Sequence, residues 1–225
     1  MRPTSIPKSV LLITTLLVAG CRSVSEEWHS TSELSDALLT VSDLDGRWQE
    51  TQRDMFDERG DENPVIDPTS FCPAAAEPAA TLTGLAGQSG ADVEMQVEGT
   101  SRMLRLQAWD NENATRFLSA VSTAADACDG IEWTDESVGV TSTFEVIDGP
   151  ELGDESVHWI QVASPPADNP DAKFGGAGRT TVARYGSVVM VLQVGDFGLD
   201  PESQMMSEVE WLDLVNLAAD QIAEL

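Results

Sequence analysis

The chain has 225 residues, with 12 basic against 39 acidic side chains and a formal net charge of −27 at neutral pH. A surface this negative repels phosphodiester backbones, which excludes direct nucleic-acid binding. With 41% hydrophobic residues and 6 Trp there is enough apolar material for a core, and 17 Gly with 11 Pro fit neither a collagen-like nor a low-complexity class.

Residues 1–20 read as a targeting segment outside the fold: Arg2 and Lys8 precede an apolar run from Val10 to Ala19. Ten helical residues reach only about 15 Å, half of a hydrocarbon core of roughly 30 Å, so the run is a signal-peptide core rather than a span. It ends in LLVAGC at 16–21, which resembles the lipobox of bacterial lipoproteins. That resemblance implies cleavage after Gly20 and a diacylglyceryl group on Cys21, the first residue of the mature chain. The other reading is an ordinary secreted protein with a Cys in that place. Three cysteines in an exported chain leave one unpaired, and acylating Cys21 removes the odd one. The expected location is therefore the extracytoplasmic face of the cell membrane, held by acyl chains. Losing Arg2 and Lys8 with the leader takes the charge from −27 to −29, which pushes the domain off an anionic bilayer. Residues 21–31 are read as the lipidated Cys and its polar tether, and residues 32–225 as one domain.

Ser30 and Glu33 have the spacing of a capping box, and Leu34, Leu38 and Val41 continue at helical spacing to a stop at Asp45-Gly46. Trp48 opens a strand-like stretch. From Asp54 to Asp67 the chain is acidic and broken by Gly60 and Pro64, a surface loop. Cys72-Pro73 starts a helix that Pro78 keeps short or kinked. Val93, Met95 and Val97, then Leu104, Leu106 and Ala108, alternate as two strands of a hairpin around Gly99-Thr100-Ser101. The periodicity next predicts a helix over 112–128, capped by Asn111, with Ala114, Phe117, Leu118, Val121, Ala125 and Cys128 on one face. Alternation returns at Val138–Val146 and again at Val157–Val162. The segment from Ser164 to Gly178 reads as irregular loop. Thr180–Arg184 and Ser187–Val194 form a second hairpin around Tyr185-Gly186, and VVMVLQV at 188–194 is apolar enough for a central strand. Val209, Leu212, Val215, Ala219 and Ile222 define a C-terminal helix, its apolar arc widened by Trp211, Leu214, Ala218 and Leu225.

This order predicts an α+β fold: a single domain, an antiparallel sheet with helices packed on it. Cys72 and Cys128 lie 56 positions apart, and the oxidising side of the membrane allows them to bridge. The alternatives are two free thiols or a metal site, the latter weakened because zinc wants four ligands and no His lies near in sequence. Several segments together resemble the extracytoplasmic sensor-domain family typified by the outer part of the mycobacterial PknH-type serine/threonine kinase, which includes actinobacterial lipoproteins without a kinase. They are ALLTVSDLDGRW at 37–48, Cys72 before an Ala-rich helix, the helix ending in DAC at 126–128, ARYGSVVMVLQV at 183–194 and the C-terminal helix. Members of that family often carry a second disulfide in the C-terminal half; here no Cys follows Cys128.

Chemistry is sparsely encoded. The two His are His29, in the tether, and His158, within a strand, where a packed or surface His is the ordinary outcome. GQSG at 87–90 misses the G-x-S-x-G elbow by one position, DFG at 196–198 lacks every other kinase element, and GGAG at 175–178 lacks the P-loop Lys. Asp57, Glu58, Asp61 and Glu62 do not match an EF-hand and read as a solvated loop rather than a calcium site. Trp48, Trp109, Trp133, Trp159 and Trp211 are core candidates, one or two of which could line a pocket. No cofactor, metal or catalytic residue is expected. The expectation is a non-enzymatic, lipid-anchored binding or sensor-like module that presents a groove on the sheet to a small envelope ligand or a partner protein. A structural or assembly lipoprotein acting through protein contacts is the alternative, and a hydrolase would need His158 in a cleft beside a Ser and a carboxylate.

Overall fold

The computed structural model describes residues 29–56, 66, 71–85, 89–97, 103–110, 113–136, 139–165, 175–196 and 205–225. The leader, Cys21, the acidic group from Asp57 to Glu62, the turn at Gly99–Ser101 and Asn111 lie outside them. The expected capping box starts α1 (Thr31–Asp36): the Glu33 amide donates to Ser30 Oγ and the Ser30 amide to Glu33 Oε2 at 2.7 Å. This helix is shorter than its periodicity predicts. Thr40 sets a new start, its amide and hydroxyl both donating to Asp43 Oδ2 at 2.7 Å, and a separate 3-10 turn follows at Val41–Asp43. Val41 is therefore exposed, whereas Leu34, Leu38 and Leu39 are buried.

Strand β1 (Trp48–Phe56) pairs antiparallel with β2 (Ser89–Val97), with a register shift between Glu50 and Gln52 that makes Thr51 a bulge. The bulge puts Trp48 and Arg53, five positions apart, on one face opposite Val97 and Val93. Arg53 then reaches the end of α1, donating to the carbonyls of Ser35 and Leu39 at 3.0 and 2.8 Å. Ser35 lies in the last turn of α1, where carbonyls lack the regular helical partner, and Leu39 lies just past it, so this contact locks α1 onto the sheet. Strand β3 (Met103–Asp110) completes a three-stranded meander.

A 3-10 turn at Pro73–Ala75 leads into the short helix α2 (Ala76–Ala80), which contains Pro78 as expected. Helix α3 (Ala114–Cys128) begins two residues later than predicted, with Asn113 in the cap position, and buries all six anticipated residues together with Ala124. A second meander follows: β4 (Ile131–Asp135), β5 (Val140–Val146), β6 (Glu155–Ser164), β7 (Gly176–Tyr185) and β8 (Val188–Asp196). Strand β4 carried no sequence signal because it is an edge strand, exposed except for the half-buried Trp133. Strand β7 starts at Gly176, so the Gly-rich end of the supposed loop is strand. The β7–β8 hairpin pairs Tyr185 with Val188, leaving Gly186-Ser187 as the two-residue loop, and Gly186 (φ +61°) takes the first central position that a type II′ turn reserves for glycine.

The two meanders join at β3 and β8 into one eight-stranded antiparallel sheet of order β1-β2-β3-β8-β7-β6-β5-β4. Strand β8 is central and buried on both faces. Val188, Met190, Leu192 and Val194 point to a core shared with α1 and the C-terminal helix α4 (Glu208–Ala223), while Val189 and Val191 point to a core under α2 and α3. The sheet is thus covered by helices on both sides and divides the interior in two. In the second core Phe71, Phe144 and Trp159 cluster with ring centroids 5.7–5.9 Å apart, next to the Cys72–Cys128 disulfide that ties the α2 segment to the end of α3. Helix α4 also departs from the expected face: Trp211, Leu214, Val215, Ala218, Ala219 and Ile222 are buried, but Val209 is 68% exposed and Leu225 protrudes.

Candidate functional site

His158 is the one imidazole set within the sheet, and its surroundings decide whether it can do chemistry. It lies on the α4 side, paired in register with Thr181. Pro150 O accepts from Nε2–H at 3.1 Å, which fixes the tautomer, and Nδ1 lies 3.1 Å from the Thr181 hydroxyl. The ring meets Trp211 edge-on with centroids 5.6 Å apart, and Gly149 packs so closely on it that a Cβ there would sit 2.4 Å from Cδ2. Burial holds its pKa below the usual range, only partly opposed by the Pro150 hydrogen bond. Among the described residues both ring nitrogens are taken by Thr181 and Pro150 rather than by a Ser hydroxyl or a carboxylate, so His158 is a core residue fastening the 149–150 segment to the sheet.

Concavity occurs elsewhere. A groove of about 270 Å³ runs between α4 and the chain that enters β1. One wall is a stripe of α4, with Glu210, Asp213, Leu214 and Leu217 at helical spacing. The facing wall is the segment Asp43, Leu44, Asp45, Arg47 and Trp48, and Val97 of β2 and Met206 close the lining. Its floor is apolar: Trp48, Val97, Met206 and Leu214 are buried in the first core, and Leu44 and Leu217 pack against it.

Local chemistry holds each wall in place. Ser207 caps α4, its hydroxyl donating to Glu210 Oε2 at 2.8 Å while the Glu210 amide returns a bond to Ser207 Oγ, so Glu210 is fixed at the helix start. The Arg179 guanidinium lies 5.5 Å from the Trp211 ring centroid and donates from Nε to Met206 O, anchoring the segment that brings Met206 over the groove. Opposite, the Thr40–Asp43 bonds set the 3-10 turn, and Arg47 forms an ion pair with Asp45 through both Nε and Nη2. That contact lowers the Asp45 pKa and raises that of Arg47, to which Glu210 also contributes. Among the described residues the rim carries Asp43, Asp45, Glu210 and Asp213, with Arg47 beside Asp45.

Several sequence-derived expectations can be placed. Cys72 and Cys128 are bonded and buried, at the core of the α3 layer and away from the groove lining. Trp48, Trp159 and Trp211 are core residues, and Trp48 is the tryptophan that also lines a pocket; the side chain of Trp109 lies outside the described set. The groove does not sit on an open sheet face, as expected, but beside α4, because helices occupy both faces. Apart from Trp48, one of the tryptophans considered for a pocket, its residues went unrecognised as a site in the sequence, where the helix stop is read at Asp45-Gly46. Among the described residues no group of three or more His, Cys, Asp or Glu is arranged to hold a metal ion, and no helix is long and apolar enough to cross a membrane.

Fold and groove together define an α+β domain with an eight-stranded antiparallel sheet between two helical layers and a cleft along its C-terminal helix. No family model matches the chain, and no curated protein matches it in sequence. Among solved structures it is similar to the extracellular domain of PknH from Mycobacterium tuberculosis, with a TM-score of 0.53 and 13% identity over 88% of this chain and 97% of that one. It is also similar to an uncharacterized protein from Mycobacterium smegmatis, with a TM-score of 0.48 and 10% identity over 89% of this chain and 96% of that one. The first of these likenesses is one of fold, and it is the fold that the sequence resemblance implied.

Proposed function

We propose that this chain is a lipid-anchored, non-enzymatic binding or sensor-like module of the bacterial cell envelope, tethered through Cys21 on the extracytoplasmic face and presenting the α4 groove to a small envelope ligand. The observation that carries the reading is the groove itself, an apolar floor with a few converging polar groups, the usual form of a small-molecule site. The leader ending in LLVAGC, the disulfide and the PknH-like fold support the location. The large apolar side chains exposed among the described residues, Val41, Met55, Ile131, Val209 and Leu225, are scattered over different elements, which favours a ligand site over a broad protein-docking patch.

Two measurements test this. Mass spectrometry of the protein isolated from membranes is expected to find an acylated Cys21 as the first residue, and an intact unmodified N-terminus would refute the anchor. A thermal-shift screen with envelope lipids and wall fragments is expected to yield a ligand that, at a hundred times its Kd, stabilises by about 2.7 kcal/mol. A flat response across the panel would refute the binding role.

A further inference from the structure

The contacts that make His158 a fastener hold only while its ring is neutral. Nδ1 then accepts from the Thr181 hydroxyl and Nε2–H donates to Pro150 O, each at 3.1 Å. A proton on Nδ1 leaves the Pro150 bond in place and strengthens it, because the donor is now charged. It breaks the other bond as it stands. Nδ1–H can only donate, so the Thr181 hydroxyl must turn its own hydrogen elsewhere, and Thr181 is fully buried with no second partner for that hydroxyl among the described residues. Neighbouring charge does not offset this. The alternation that brings Thr181 of β7 to this face also brings Arg179, whose guanidinium lies over the same Trp211 ring that His158 meets edge-on, so protonation sets two cations against one indole. Glu208 of α4 acts on Arg179, Asp154 is paired with Arg184, and Asp148 and Glu151, which flank Gly149-Pro150, are exposed. Tyr185, which lies beside Gly153, has its pKa pushed up to about 12 by burial and stays neutral. None of these groups takes a ring nitrogen.

The two sides of the ring differ in how easily they yield. Trp211 is 0% exposed and seats α4 in the first core. Gly149 and its neighbours Asp148 and Glu151 face solvent, and apart from the ring this segment is tied down by Ile147 N to His158 O at 3.0 Å and by the Ser156 hydroxyl to Pro150 O at 3.3 Å. Gly149 sits so close to the ring that the imidazole cannot turn without moving it. A charged ring therefore reaches water by travelling with Gly149 and Pro150, away from Trp211.

We propose that His158 is an acid-sensitive latch: on taking up a proton its ring moves outward with Gly149 and Pro150, Trp211 loses its edge contact, and the N-terminal half of α4, one wall of the groove, loosens. The latch stands on these contacts alone; only its consequence for a bound ligand rests on the binding role proposed above.

Hydrogen exchange read by mass spectrometry on the full chain without ligand tests it, from pH 7.5 to 5.0, with labelling times scaled to the intrinsic pH dependence of amide exchange. Protection of residues 147–153 and 205–215 is expected to fall several-fold on acidification, while residues 114–128 of the disulfide-bonded layer keep theirs. The ring Cε1 signals of the two His, His29 and His158, followed by NMR and assigned with His158→Gln, give the titration of His158 itself, and its midpoint is expected to match that of the loosening. In His158→Gln, whose side-chain amide can still donate to Pro150 O and takes up no proton, the acid-induced fall is expected to vanish. Titration of His158 with protection unchanged overturns the latch, as does a loosening that persists in His158→Gln or has another midpoint. Loss of protection in residues 114–128 at the same pH overturns it too, since the whole domain would then be unfolding. A ligand screen that stays flat refutes the binding role and leaves these outcomes as they are.

Discussion

Replacing both bridged cysteines, as Cys72→Ala/Cys128→Ala, isolates what the disulfide contributes. The bond joins positions 56 apart in sequence, a closed loop of about 57 residues, and the chain-entropy relation gives about 4 kcal/mol at 25 °C for constraining the unfolded chain over that length. For a domain of this size that corresponds to a fall in Tm of about 8–16 °C. The folded state also loosens, since Cys72 follows Phe71 of the aromatic cluster and its amide donates to Cys128 Sγ at 2.9 Å. Urea unfolding followed by tryptophan fluorescence and far-UV circular dichroism measures the loss. The m value is expected to rise, because the unbridged unfolded chain exposes more surface. A variant that loses less than about 1 kcal/mol with an unchanged m value would refute the entropic account of the bridge. A corollary concerns access: with Cys72 2% and Cys128 0% exposed, reduction of the native protein by dithiothreitol should proceed only as fast as the α3 layer opens.

The remaining predictions concern packing and capping. His158 has a folded-state pKa depressed below its unfolded value of about 6.5, so the unfolded chain takes up the proton first. Its contribution is complete above pH 6.5 and lost as pH falls through that value towards the folded pKa; unfolding midpoints from pH 7.5 to 5.5 should decline, and His158→Gln should flatten that slope. Gly149→Ala drives a methyl group into the His158 ring and should cost about 1–3 kcal/mol by urea unfolding, whereas His158→Ala in the same background should relieve part of that cost. Ser207→Ala removes the cap that holds Glu210 and should cost about 1 kcal/mol, whereas Ser207→Asp should retain most of the stability in the same assay.

Much of the fold was legible because its strongest elements carry redundant signals. Ser30 with Glu33 marks a helix start, six apolar residues at spacings of three and four mark α3, and an unbroken apolar run marks β8, which needs two buried faces. What escaped depends on a competing local cap or on partners distant in sequence. The end of α1 is decided by Thr40 capturing Asp43, and the face change in β1 by a bulge that exists only against Glu94. The rotation of α4 follows from Trp211, which docks against His158 and Arg179 and so turns Val209 outward. The groove was the least legible feature. Its walls lie more than 160 positions apart in the chain, and each alone looks like a turn or an ordinary amphipathic helix. The acylation proposed for Cys21 rests on the leader sequence, which lies outside the described residues.

Because the sheet separates two interiors, the molecule is stiffened unequally. One side is stapled by a covalent crosslink and an aromatic knot, whereas the other, which forms the groove, has no disulfide among the described residues and is held by side-chain packing around Trp211 and by hydrogen bonds from Arg53 and Arg179. A tilt of α4 that widens or narrows its cleft leaves the stapled side untouched. The crosslinked side is therefore the stiffer half of the molecule, and the half that forms the groove is the more deformable one.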